Sequence, residues 1–127
     1  MNRIFKTRYF QCWMRKTELT DDALCTAVCE MTKGLIDTDL GGGVVKKRVG
    51  LAGRGKRGGA RILVATNRDS RWFFVFGFEK SERSNISAEE KEALQTLARD
   101  LLLRTDQELD AEVIDGALQE ICHDQKK

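Results

Sequence analysis

The 127-residue chain has no proline, a single histidine and only four cysteines. Without proline there is no Pro-rich linker or recognition segment. The opening "MNRIFKTRYFQCW" lacks the continuous apolar core of a signal peptide. No run approaches the roughly 20 apolar residues of a membrane span. These absences set the expectation of a cytoplasmic protein with no membrane contact. The cysteines (Cys12, Cys25, Cys29, Cys122) include no C-x-x-C pair. In a reducing compartment they read as small buried hydrophobes rather than metal ligands or disulfides.

What is present is ordinary for one globular domain spanning 1–127: 41% hydrophobic and 33% charged residues, with neither repeats nor low-complexity blocks. The net charge of +2 conceals a polarity. Residues 1–83 carry 17 basic and 9 acidic side chains, whereas 84–127 carry 5 and 11. The first part therefore has an electrostatic footprint, and the acidic helical segment 84–127 is expected to pair with its own domain.

Pattern reading gives an element order. "RIFK" can begin an edge strand, and Phe10, Trp13 and Met14 recur at helical spacing. Thr20 is a candidate N-cap, followed by Asp21, Asp22 and the stripe Leu24, Ala27, Val28, Met31, with Gly34 as the stop. Residues 43–51, 60–67 and 71–79 read as three strands, with "NRDS" as the turn between the last two. Ser87 to Glu90 and Thr105 to Glu108 fit capping boxes. The first opens a helix with Leu94, Leu97, Ala98 and Leu101. The second opens a helix extended through Val113, Ala117, Leu118 and Ile121, with Gly116 as a weak point. The expected class is α+β: a small antiparallel sheet with helices packed on one face, plus additional C-terminal helices.

The stretch "KKRVGLAGRGKRGGARI" (46–62) holds seven Lys or Arg, five Gly and no acidic residue. Its G-x-G-x-x-G is followed by a strand, not by the helix whose N-terminus a dinucleotide needs. A near match to the Walker A pattern fails likewise, and Arg57 stands where a Mg²⁺-binding Ser or Thr belongs. What remains is a strand, a cationic loop and a second strand. Alternation puts Lys46 and Arg48 on one face and Val45, Val49 and Leu51 on the other, with Lys47 snorkelling at an edge. Arg61 can join Lys46 and Arg48, with Arg54, Lys56 and Arg57 above them. Such a cluster suits a polyphosphate backbone, since each Arg offers a bidentate fork. Lys80, Arg83 and Asn85 add polar groups at the end of the third strand, although Asn85 also fits a pre-helix turn. Trp72 and the phenylalanines at strand spacing read as core.

Together "LGGGVVKKRV", "GRGKRGGAR" and "FFVFGFEKSERSNIS" resemble the RelE-like toxins of bacterial toxin–antitoxin systems. The similarity covers about the middle half of the chain. It departs at Arg57, where that branch often has Ser. The resemblance implies a ribosome-dependent endoribonuclease that cuts mRNA in the decoding site. It also implies a cognate antitoxin, a small DNA-binding protein, that neutralises it. In such cleavage the ribose 2′-OH attacks the adjacent phosphate, without metal or cofactor. The reaction needs a proton acceptor, cations for the phosphorane and a donor for the leaving oxygen. His123 lies near the terminus, and there is no second histidine. Lys56 or Lys80 is therefore the candidate base or acid, because crowding by other cations favours a neutral lysine. Arg61 and Arg48 are the candidates for phosphorane stabilisation. Lys46 and Arg54 are the candidates for positioning RNA, supported by Arg57, Arg83 and Asn85. Three other readings stay open: a ParE-like inhibitor of DNA gyrase, a non-catalytic nucleic-acid-binding module, and a relative that has kept the fold and lost the activity.

Overall fold

The computed structural model describes residues 2–51 and 55–123, and the side chains of 55–58 fall outside the description. Among the described residues six strands form one sheet: β1 (Arg3–Thr7), β2 (Thr38–Gly41), β3 (Val44–Leu51), β4 (Gly55–Thr66), β5 (Arg71–Glu79) and β6 (Leu118–Ile121). In the same residues they are accompanied by four helices: α1 (Arg8–Met14), α2 (Asp21–Thr32), α3 (Ala88–Leu102) and α4 (Asp106–Asp115). The strand order is β2-β3-β4-β5-β1-β6. All pairings are antiparallel except β1 with β5, which is parallel. The α+β class expected from the sequence is the one observed. The N-terminal strand, however, is internal rather than an edge.

Alternating side chains divide the interior into two layers. One face of the sheet packs Val45, Val49, Ile62, Val64, Trp72 and Phe74 against α1 and α2. The other packs Val44, Leu63, Ala65, Phe73 and Phe78 against Leu94, Ala98 and Leu101 of α3 and Leu109 of α4. The additional C-terminal helices thus take the face opposite α1 and α2, so helices cover both sides. No helix among the described residues is long and apolar enough to cross a membrane.

Helix α2 begins at its Thr20 cap, whose side chain accepts a hydrogen bond from Ala23 N, and buries Leu24, Ala27, Val28 and Met31. Two buried lysines fix its course. Lys6 on β1 donates to Asp21 at the first turn (2.7 Å), and Lys47 on β3 pairs with Glu30 near the last (2.8 Å). β1 and β3 are three strand spacings apart, about 14 Å. Nine helical residues rise about the same distance. The helix therefore crosses the sheet with an ion pair at either end. Lys47 is a buried partner of α2, not a side chain snorkelling at an edge.

The capping boxes at Ser87/Glu90 and Thr105/Glu108 both form. The second helix stops earlier than its apolar pattern suggests. Gly116 adopts a left-handed conformation at φ 88° and caps α4, and Leu118–Ile121 turns into β6 beside β1. The "GGG" turn between β2 and β3 has positive φ at Gly41, Gly42 and Gly43. α3 presses on it, with Gln95 Nε2 donating to Leu40 O at 2.9 Å.

The cysteines depart from the expectation of four buried hydrophobes. Cys25 and Cys122 form a disulfide across 97 residues of sequence, while Cys12 and Cys29 are exposed. The cause is topological. The first turns of α2 lie over the β1 end of the sheet, where β6 returns, and the two Cα atoms come within 5.7 Å.

A close approach on the α1 side gives a stability prediction. A Cβ on Gly77 of β5 would stand 2.4 Å from Cζ3 of Trp13, whose ring packs on Phe10. Gly77→Ala is expected to cost about 1–3 kcal/mol by overpacking. In a thermal melt this should appear as a fall of roughly 5–10 °C. An unchanged melting temperature would show that Trp13 moves aside freely.

Candidate nucleic-acid interface

The site lies where α3 stops covering its face of the sheet. Register places it rung by rung. Arg48 on β3 pairs with Arg61 on β4, which pairs with Phe78 on β5; the next rung is Lys46, Leu63 and Phe76. Lys46, Arg48 and Arg61 therefore share the face anticipated from alternation. α3 approaches the β2–β3 turn, so these three cations lie beyond its contact with Gly42 and Gly43.

Placing two arginines opposite each other on neighbouring strands is unfavourable in isolation. Burial lowers the Arg61 pKa, proximity to Arg48 lowers it further, and Asp37 partly compensates. The guanidinium stays charged, since Arg does not deprotonate in proteins. Arg61 is 8% exposed, against 46% for the Arg48 side chain. The arrangement is a desolvated cation beside an accessible one.

Asp37, just before β2, is the residue that sequence reasoning missed. Its Oδ1 accepts from Arg48 Nε at 2.9 Å, and its Oδ2 accepts from Arg48 N. Its own N–H donates to Lys46 O at 3.0 Å. Burial pushes the Asp37 carboxyl up. The side-chain and backbone hydrogen bonds from Arg48, with the charges of Arg48 and Lys47, outweigh it and hold the pKa below the ordinary value. A folded-state pKa that is depressed contributes stability above the unfolded value, and that contribution is lost as pH falls through the folded one. Asp37→Asn is thus expected to cost about 1–2 kcal/mol at pH 7. The gap from the wild type should close below about pH 4. Denaturation curves at pH 7 and in acid test this, and a gap that persists in acid would contradict it.

The segment after β5 forms the second wall. Lys46 Nζ donates to Asn85 Oδ1 at 3.3 Å, and the same oxygen accepts from Ile86 N at 2.9 Å. Arg83 donates from Nε to Asn85 O at 3.1 Å and forks onto Glu90 with both terminal nitrogens. The Glu90 hydrogen bond raises the Arg83 pKa against the opposing effect of burial, and the same bond lowers the Glu90 pKa. The Arg83 guanidinium also lies 5.8 Å from the Phe76 ring centre and 5.5 Å from that of Phe78. In this arrangement Arg83 braces the loop. Tyr9 on α1, also missed by sequence reasoning, stacks on Phe76 with centroids 5.7 Å apart and rings 7° from parallel. Its place was legible in part: Phe10 and Met14 face the core, so a neighbour of Phe10 must point elsewhere on a 3.6-residue helix.

Lys80 is exposed beyond β5, its backbone N–H donating to Gly59 O at 3.1 Å. Lys56 and Arg57 fall in the opening residues of β4, but their side chains are outside the description, and Arg54 lies outside the described residues altogether. His123 follows β6, near the opposite edge and the opposite end of the sheet, with Nε2 2.9 Å from Glu120 O.

The acidic residues of α4 and β6 are tied down away from these cations. Arg3 bonds Glu120, Asp110 and Asp106, and Arg71 bonds Asp106. The hydrogen bond that Arg3 donates to Glu120 raises its pKa most, with burial opposing it and the bonds to Asp110 and Asp106 adding to the rise. Arg3 and Arg71 are register partners at the start of β1 and β5, whereas Phe78 and Arg61 lie towards the other end of β5. The carboxylates of Asp106, Asp110 and Glu120 thus bond cations at the end of the sheet away from Arg48 and Arg61.

Two rungs of cations at the open end of a sheet, faced by an Asn-bearing loop, can hold successive phosphates of a single strand. A comparison with curated proteins finds no match. A family comparison does: residues 2–121 match the family described as the RelE toxin of the RelE/RelB toxin–antitoxin system. With the match running over nearly the whole chain, this protein belongs to the RelE toxin family.

Proposed function

We propose that this toxin is a ribosome-dependent endoribonuclease that cleaves mRNA by 2′-OH attack. The observation that carries the proposal is Arg61, buried in the sheet beside Arg48 at the open end. A guanidinium fixed in place by burial is a preorganised partner for the charge that develops on a phosphorane. Arg48, held by Asp37, supplies the second cation, and Lys46 with Asn85 positions the strand. Lys56 or Lys80 accepts or returns the proton. Arg54 and Arg57 extend the cationic surface over the RNA, and Arg83 shapes the loop that bears Asn85.

Membership of the family implies a cognate antitoxin. An acidic segment of a small DNA-binding antitoxin would complement the cationic end of the sheet. This reading places the protein in the cytoplasm with the ribosome. The test is primer extension on a defined mRNA in a translating bacterial extract and on the same mRNA without ribosomes. Discrete cuts at codon positions, seen only with ribosomes, are the expected result. Intact mRNA during growth arrest would overturn it in favour of a gyrase inhibitor. Binding that weakens smoothly with salt, without cuts, would instead indicate a non-catalytic module.

A further inference from the structure

Of the nine aromatic residues, Tyr9 alone is exposed. The residue is 62% accessible, yet its ring is not loosely held. One face lies on Phe76, and the Arg83 guanidinium lies over that same Phe76 ring. Arg83 is in turn gripped by Glu90 and by the carbonyl of Asn85. Folding does not require a braced ring with an open face, since the Phe76–Phe78 surface already packs against the α3 side and Arg83.

The position of this ring gives it a use. Phe76 stands on the same rung as Lys46, with Leu63 between them. That separation is two strand spacings, about 10 Å, and the Tyr9 ring lies a further stack away, 5.7 Å from Phe76 between centroids, so a short single strand can reach from Lys46 to the ring. Asn85 links the two ends of the rung, accepting from Lys46 with its side chain and from Arg83 with its backbone. Cations beside a rigid aromatic platform make up the usual chemistry of single-strand recognition, in which phosphates are held electrostatically and a base stacks. We propose that the open face of Tyr9 stacks a nucleobase of the RNA whose phosphate lies at Lys46, Arg48 and Arg61. This makes Tyr9 a binding residue supplied by α1 rather than by the sheet. The proposal rests on the nuclease reading above.

The probe is an mRNA carrying 2-aminopurine in the vacant decoding site of a stalled ribosome, with a 2′-deoxy sugar at the cut position. An otherwise identical abasic mRNA is the control. Wild type and Tyr9→Phe should bind the fluorescent mRNA equally and quench it. Tyr9→Ala and Tyr9→Leu should bind it about tenfold more weakly and leave it bright, while all four proteins bind the abasic mRNA alike. Tyr9→Leu keeps an apolar cover on Phe76, and a matching thermal melt confirms its fold. If Tyr9→Ala and Tyr9→Leu keep the wild-type preference for the base-bearing mRNA, the platform is overturned. The nuclease reading then still stands provided Lys46→Ala weakens binding of both mRNAs. If the wild type binds neither mRNA, both proposals fall together.

Discussion

Arg61→Ala is expected to lower mRNA cleavage by about 10²–10³-fold, the cost of removing one preorganised partner of a developing anion. The effect follows from where the charge sits. Arg61 is almost wholly buried, and Arg48 faces it across the strand pair. Its charge is therefore held in a medium that screens weakly. Arg48, half exposed and already bonded to Asp37, is better screened. Arg48→Ala should accordingly cost less, about tenfold. Arg61→Lys should recover only part of the loss, because an ammonium cannot fork onto two phosphate oxygens. Folding is the control: Arg61→Met keeps an unbranched side chain without the charge, and its denaturation curve measures what the buried guanidinium contributes to stability. Single-turnover cleavage on programmed ribosomes, set beside a denaturation curve, separates the two effects. Cleavage by Arg61→Ala within threefold of the wild type would remove Arg61 from the chemistry. A parallel collapse of stability would make its role structural.

The parts of this site that were legible in the sequence are those governed by short-range rules. Period-two alternation placed Lys46, Arg48 and Arg61 on one face, and register confirms it. The caps at Thr20, Ser87 and Thr105 follow from side-chain oxygens competing for orphan N–H groups. What stayed hidden depends on contacts distant in sequence. Leu118 and Ile121 are three apart, a spacing that fits one face of a helix as well as an edge strand. The αL cap at Gly116 and pairing with β1 decide for the strand. Asp37 carried no signal in the sequence because its two bonds to Arg48 form only once the chain brings it beside β3. The helices on both faces follow from the parallel β1–β5 pairing, which brings the N-terminal strand into the middle of the sheet. The C-terminal elements then complete the opposite layer. Tyr9 is intermediate, since helical phase shows that it leaves the core but not that Phe76 receives it.

Reducing the protein is expected to remove about 4–5 kcal/mol of stability. The Cys25–Cys122 bond closes a loop of 97 residues, and by the chain-entropy estimate a loop of that order is worth about 4.7 kcal/mol. Against a typical total of about 5–15 kcal/mol, that is a large share. The location adds to the effect. The bond joins the start of α2 to the residue after β6, a four-residue edge strand held to the sheet by β1 alone. Losing it should free β6 first and expose the layer around Ile4 and Ile121. Cys122 also has φ of 67°, a left-handed conformation that costs a non-glycine residue about 1–2 kcal/mol. Cys122→Gly should therefore lose about 1 kcal/mol less than Cys122→Ala, although both lack the bond. Thiol counting provides the independent check. The native protein should present two reactive thiols, Cys12 and Cys29, and the reduced, unfolded chain four. Urea curves with and without a dithiol reductant then measure the stability difference. Coincident curves, or four reactive thiols in the native protein, would mean that packing of β6 alone holds the C-terminus. In that case the two sulfurs sit close without carrying the fold.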